Sequence, residues 1–219
     1  MVEISETQQA QEVIKKEAEA AARQLLEGIA DLQDSLSYQV ENDPNSTKGD
    51  KEAFVYTYSS LWGFVDANPD FSTVRPKAVK NRDRKAILPS QHAGVFLQFS
   101  LKDGTILRIN FYGGLRMISG MDFRDQGTPT TSHARRTELI IDQETQLHWQ
   151  IDYPNGPVIN SRIVFDPRQK TFKQSALEID GESINFQPSL TKTEETFEKI
   201  KTAVFKPIEA LVNLIPSSV

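Results

Sequence analysis

Between residues 94 and 187 apolar side chains return at every second position, a period that dictates strands with two unlike faces. In "TQLHWQIDY" (145–153), Leu147, Trp149, Ile151 and Tyr153 fall on one face and Gln146, His148, Gln150 and Asp152 on the other. "TILRINFY" (105–112) repeats the division, with Leu107, Ile109 and Phe111 against Arg108 and Asn110. "GVFLQFSL" (94–101) sets Val95, Leu97, Phe99 and Leu101 against Gln98 and Ser100. "VINSRIVF" (158–165) opposes Ile159, Ser161, Ile163 and Phe165 to Val158, Asn160, Arg162 and Val164.

Short turn signals separate these runs. "KDG" joins the first two, "QE" stands between "TELIID" and "TQLHWQIDY", and "YPNGPV", "DPRQ" and "DGE" lead on to "TFKQSALEI" and "SINFQ". Sequential hairpins predict an antiparallel meander of about seven to eight strands, strongly curved or closed. "FYGGLRMISG" (111–120) interrupts it with Gly113, Gly114 and Gly120. Neither the phosphate-loop lysine nor the G-x-G-x-x-G spacing is present, so these glycines predict a bend at which the strand turns sharply.

Helical periods bracket the sheet. Ile14, Ala18, Ala21, Leu25, Ile29, Leu32 and Leu36 recur at three- and four-residue spacing and predict a helix over about 7–37. Gly28 costs that helix about 1 kcal/mol relative to alanine, which implies close packing or a break. Phe197, Ile200, Val204, Ile208, Leu211 and Ile215 predict a second helix over about 193–215, with a kink or a junction of two helices at Pro207. The aromatic and β-branched stretch 52–71 reads as one or two strands, and 74–89 as a basic loop. The resulting class is α+β: one domain over 1–219, with a β-rich core at about 52–187 between an N-terminal and a C-terminal helix.

Composition removes several kinds of function. The absence of cysteine excludes disulfides, thiolate metal sites and a cysteine nucleophile. Three histidines without H-x-x-x-H, H-E-x-x-H or H-x-H spacing disfavour a metal site, and no cofactor is expected. His92 follows a proline-serine turn and His133 lies among small polar residues, which leaves His148 in mid-strand as the histidine of interest. No basic-then-apolar leader and no membrane-spanning apolar run are present, so a cytoplasmic location is expected. Membrane binding is disfavoured because the polar side of the C-terminal helix is as acidic as it is basic.

The net charge of −5 conceals a division. Residues 1–50 carry four Lys/Arg and eleven Asp/Glu, whereas residues 51–136 carry thirteen and seven. Arg75, Lys77, Lys80, Arg82, Arg84 and Lys85 lie within eleven residues, and Arg116, Arg124, Arg135 and Arg136 follow in the 113–136 connection. Arg75, Lys80, Arg82, Arg84 and Lys85 form a candidate surface for an acidic protein partner or an anion. Nucleic acid is disfavoured by the overall acidity and the lack of a recognition motif. The long 113–136 connection is a candidate lid.

The second face of the sheet carries amides, two arginines, a histidine and one carboxylate, but no lysine. Such groups hydrogen-bond directionally and suit a small polar ligand. Arg108, Asn110, His148, Gln150, Asp152 and Arg162 are therefore the candidate ligand-binding residues. Trp149 or Tyr153 would serve an apolar part of a ligand, but one strand cannot present both sets to the same cavity, and the polar set is preferred. A small-molecule-binding protein is the leading expectation, with its pocket between the curved sheet and the flanking helices or loops. The alternatives are an isomerase- or cyclase-type enzyme with His148 or Asp152 as base, and an assembly or regulatory protein that docks through the 75–85 loop. His148 and Asp152 stand roughly 13 Å apart along one strand, so each needs a cross-strand partner.

Overall fold

The computed structural model describes residues 6–67, 77–80, 92–120, 134–140, 145–191 and 194–214. Its elements are α1 (Glu6–Asn42), α2 (Lys48–Asp66), β1 (Lys77–Lys80), β2 (His92–Ser100), β3 (Ile106–Gly120), β4 (Ala134–Ile140), β5 (Thr145–Asp152), β6 (Val158–Asp166), β7 (Thr171–Ile179), β8 (Glu182–Ser183), β9 (Ser189–Thr191) and α3 (Glu194–Asn213). The strands make one antiparallel sheet in the order β1-β2-β3-β5-β6-β7-β8, with β4 also beside β3 and β9 also beside β7. The class is α+β as expected. Among the described residues β1 and β8 end the sheet without pairing, so it is open rather than closed.

Turn chemistry explains the hairpins. At "KDG" the Asp103 carboxylate accepts from the Thr105 backbone N–H at 2.8 Å, and Gly104 takes a φ of +93°. Between β7 and β8, Asp180 and Gly181 both have positive φ, as a two-residue hairpin loop requires. Asp166 closes the β6–β7 turn by accepting from the N–H groups of Arg168 and Gln169.

The alternation of faces holds along every central strand. Leu97, Phe99, Leu107, Ile109, Phe111, Leu147, Trp149, Ile151, Ile159, Ile163 and Phe165 are buried in one cluster with residues of all three helices. Phe205 of α3 meets Phe111 and Phe165 edge-on at 5.5 and 5.0 Å, and Phe197 stacks on Phe165 at 4.8 Å. A void of about 10 Å³ lies between Leu32 of α1, Val204 and Phe205 of α3, and the β5–β7 side chains around it, so the helix side of the sheet is filled there.

Seven expectations are corrected. Residues 52–66 of the stretch read as strands belong to a helix, α2, because Thr47 and Asp50 make a reciprocal capping box and Phe54, Leu61, Phe64 and Val65 supply an apolar helical face. Part of the basic loop is a strand, β1, that pairs with Ala93–Phe96 of β2. The strands on either side of "QE" do not pair as a hairpin: β4 and β5 run in the same direction along β3, pairing with its Gly114–Gly120 and Ile106–Tyr112 segments respectively. Residues 113–120 and 134–136 of the supposed lid belong to paired strands, β3 and β4, and residues 121–133 lie outside the described residues. The glycine pair marks the change of partner in one continuous strand; it does not end that strand. Of "SINFQ" (183–187) only Ser183 lies in a strand, at the end of β8; a second short strand, β9, follows it, and both pair with β7. The C-terminal helix, lastly, runs unbroken through Pro207.

Candidate functional site

Strand register decides which polar groups meet. It aligns Phe96, Asn110, His148, Arg162 and Ala176 in one row across β2, β3, β5, β6 and β7. The next row holds Gln98, Arg108, Gln150, Asn160 and Glu178. Directly opposed residues on neighbouring strands have Cβ atoms about 4.5–5.5 Å apart, so each row is a line of potential contacts. All six candidate ligand residues lie on this face, and Arg162 is the most exposed class among them while the other five are half-buried.

Two of the six are bound to a third. Arg108 Nη1 donates to Asp152 Oδ2 and Gln150 Nε2 donates to Asp152 Oδ1, so the Asp152 carboxylate is engaged on both oxygens. His148 and Asp152 have no contact with one another. His148 instead meets the Tyr112 ring edge-on at 5.2 Å, and its Nε2 lies 3.4 Å from Gln146 Oε1. Burial, and secondarily the positive charge of Arg162, hold the imidazole below its usual pKa, which leaves it neutral at neutral pH. Among the described residues the side chains of Asn110, Asn160, Arg162 and Glu178 have no hydrogen bond or ion pair within the protein.

These groups surround a shallow depression of about 300 Å³ lined by Asn110, His148, Gln150, Asn160, Arg162, Ala176 and Glu178, with Trp149 and Ser161 at its floor. The helices lie on the opposite face, so strands alone build it. A β-bulge sits at its rim: Arg162 faces Ala176 and Ile163 faces Gln174, which leaves Ser175 as an extra residue on β7. Ser175 Oγ donates to the Arg162 carbonyl at 3.2 Å, and Gln174 Nε2 reaches Ser161 Oγ at 2.8 Å under the bulge. The bulge is what puts Ala176 and Glu178 on the polar face while Phe172, Gln174 and Leu177 stay buried.

Asn160, which alternation places on this face but which is not in the candidate ligand set, also lines the depression, as does Glu178, which alternation does not single out. Trp149, the apolar option, is buried with Leu147 and Ile151 on the helix side. In the partner-docking set, Arg75, Arg82, Arg84 and Lys85 lie outside the described residues, and only the backbone of Lys80 is placed, opposite Ala93 on strand β1. Among the described residues no group of three or more His, Asp or Glu gathers as metal ligands would, and no helix is long and apolar enough to cross a membrane.

Fold and site together define an α+β protein with helices on one face of an antiparallel sheet and a polar depression on the other. No protein-family model, curated protein or solved structure matches the chain.

Proposed function

We propose that this chain binds a small polar molecule on the helix-free face of its sheet. One observation carries the reading: four side chains rich in hydrogen-bonding capacity, Asn110, Asn160, Arg162 and Glu178, surround a depression of about 300 Å³ and have no hydrogen bond or ion pair among the described residues. That volume stands at the small end of the range usual for ligand sites, about 300–1,000 Å³. Arg108, Gln150 and Asp152 form a preorganised wall beside it. Native mass spectrometry of the protein purified from its source cell tests this. A retained small molecule, lost from His148→Ala and Arg162→Ala variants that keep the wild-type fold, is expected; identical retention by both variants would move the site elsewhere.

A second reading, proton transfer by His148, draws support from its neutral imidazole at the depression. Asp152 is the less available of the two, because both of its oxygens already accept hydrogen bonds. Turnover of a captured ligand with a pH–rate profile abolished in His148→Ala is expected on this reading, and binding without turnover would count against it.

A further inference from the structure

We propose that the molecule held on this face is a hydroxylated monocarboxylic acid, such as a sugar acid, with its carboxylate on Arg162 and its hydroxyls on Asn110, Asn160 and Glu178. This rests on the binding reading above and narrows it to a chemical class.

The charge pattern of the face makes the choice. It carries two guanidinium groups, and they differ: Arg108 is neutralised by Asp152, whereas Arg162 faces His148 on one side and Ala176 on the other. A guanidinium without an ion pair among the described residues is the side chain best suited to hold a carboxylate through two parallel hydrogen bonds. Glu178, on the adjacent strand and in the adjacent row, sets the limit. A carboxylate can only accept, so it takes hydroxyl protons and repels a second anionic group. Polyacids and dianionic phosphates are thereby disfavoured. The amides of Asn110 and Asn160 both donate and accept, which is the pairing that vicinal hydroxyls require.

His148 supplies an independent readout. The groups that face it are Tyr112 and Asn110 from β3, Gln146 on its own strand and Arg162 from β6, with the Arg108–Asp152 pair and Glu178 farther along the face. A carboxylate on Arg162 cancels the cationic field that disfavours the imidazolium, so occupancy raises the affinity of His148 for a proton.

The test is an NMR titration of the full chain with glucuronate, glucose, acetate and citrate. Glucuronate is expected to bind tighter than the other three, to shift amide resonances at Asn160, Arg162 and Glu178, and to raise the His148 titration midpoint. Arg162→Gln should weaken glucuronate at least about tenfold, as loss of a charge-assisted hydrogen bond implies, with Arg162→Lys falling between. Glu178→Gln should relax the exclusion of citrate. Equal binding of glucose and glucuronate, or binding unchanged in Arg162→Gln, would overturn the acid class while leaving the polar-ligand reading in place. Retention of some other molecule in native mass spectra, with no response to glucuronate, would do the same. A face that neither responds to any probe nor retains any molecule sinks both.

Discussion

Gly28 of α1 packs against the carbonyl of Ala203 in α3, the carbonyl four residues before Pro207. A Cβ built on Gly28 would stand 2.5 Å from the Ala203 oxygen and 2.9 Å from its carbon. Proline has no N–H, so the carbonyl at its i−4 position lacks its helical donor. The glycine that costs α1 propensity and the proline that costs α3 a hydrogen bond thus occupy one contact between the two helices.

Gly28→Ala should destabilise the protein despite the helix propensity that alanine adds. The obstructing atoms are backbone, so α3 must shift, at a cost of about 1–3 kcal/mol against a gain of about 1 kcal/mol. A lower urea midpoint is expected; a higher one would show that the helices separate freely.

Pro207→Ala should act in the opposite direction. Restoring the donor recovers up to about 3 kcal/mol in an ordinary helix interior, less about 1–2 kcal/mol for the buried ring carbons removed. The midpoint should rise, and combining this change with Gly28→Ala should give a non-additive result, because both act on one carbonyl.

Gln33 is fully buried in α1, and among the described residues neither its amide nitrogen nor its amide oxygen finds a partner. An unsatisfied buried amide costs about 1–3 kcal/mol, and an apolar side chain of similar length removes that cost. Gln33→Met is therefore expected to raise the thermal midpoint by several degrees, read by circular dichroism. A fall would mean that the amide is satisfied in solution.

Legibility in the sequence followed the range of the interactions involved. Alternation is local, so the buried face of β3, β5 and β6 could be read directly, and so could the six polar candidates opposite it. The "KDG" and "DGE" hairpins were legible for the same reason. The α2 helix was obscured by Phe54, Val55, Tyr56, Tyr58 and Trp62, residues that favour strands; the decisive signal was the Thr47/Asp50 capping box ahead of an i, i+7, i+10, i+11 apolar spacing. The β4–β5 relationship depends on partner choice along β3, a tertiary matter that a turn-like "QE" cannot reveal. Glu178 was missed because the bulge at Ser175 breaks the period. Its trace is Phe172 and Leu177, both buried yet an odd number of residues apart.

His148 should make stability fall with acid. Its folded pKa lies below the unfolded value of about 6.5, first through burial and then through Arg162. The unfolded chain therefore binds the proton more readily, and stability, complete above about pH 6.5, is lost as pH drops through the folded pKa. Urea unfolding between about pH 7.5 and 5.5 should show this slope in wild type, a reduced slope in His148→Gln, and a smaller reduction in Arg162→Gln. An equal slope in His148→Gln would assign the effect to other groups.

Asp152→Asn tests whether the Arg108 pair governs the charge of the binding face. The two side chains are 32% and 25% exposed, so water already screens them, and the loss of stability should be about 1 kcal/mol or less. Asparagine keeps the shape and leaves Arg108 without its counter-charge, so the face gains net positive potential. Affinity for glucuronate should then increase, most of all at low ionic strength where the added charge is least screened. The measurement is a salt series of binding isotherms for wild type and variant, with urea unfolding in parallel. Unchanged isotherms with intact stability would show that Arg108 lies outside the field a ligand feels. A variant that unfolds would make the pair part of the scaffold, and the cationic character of the depression would then rest on Arg162 alone.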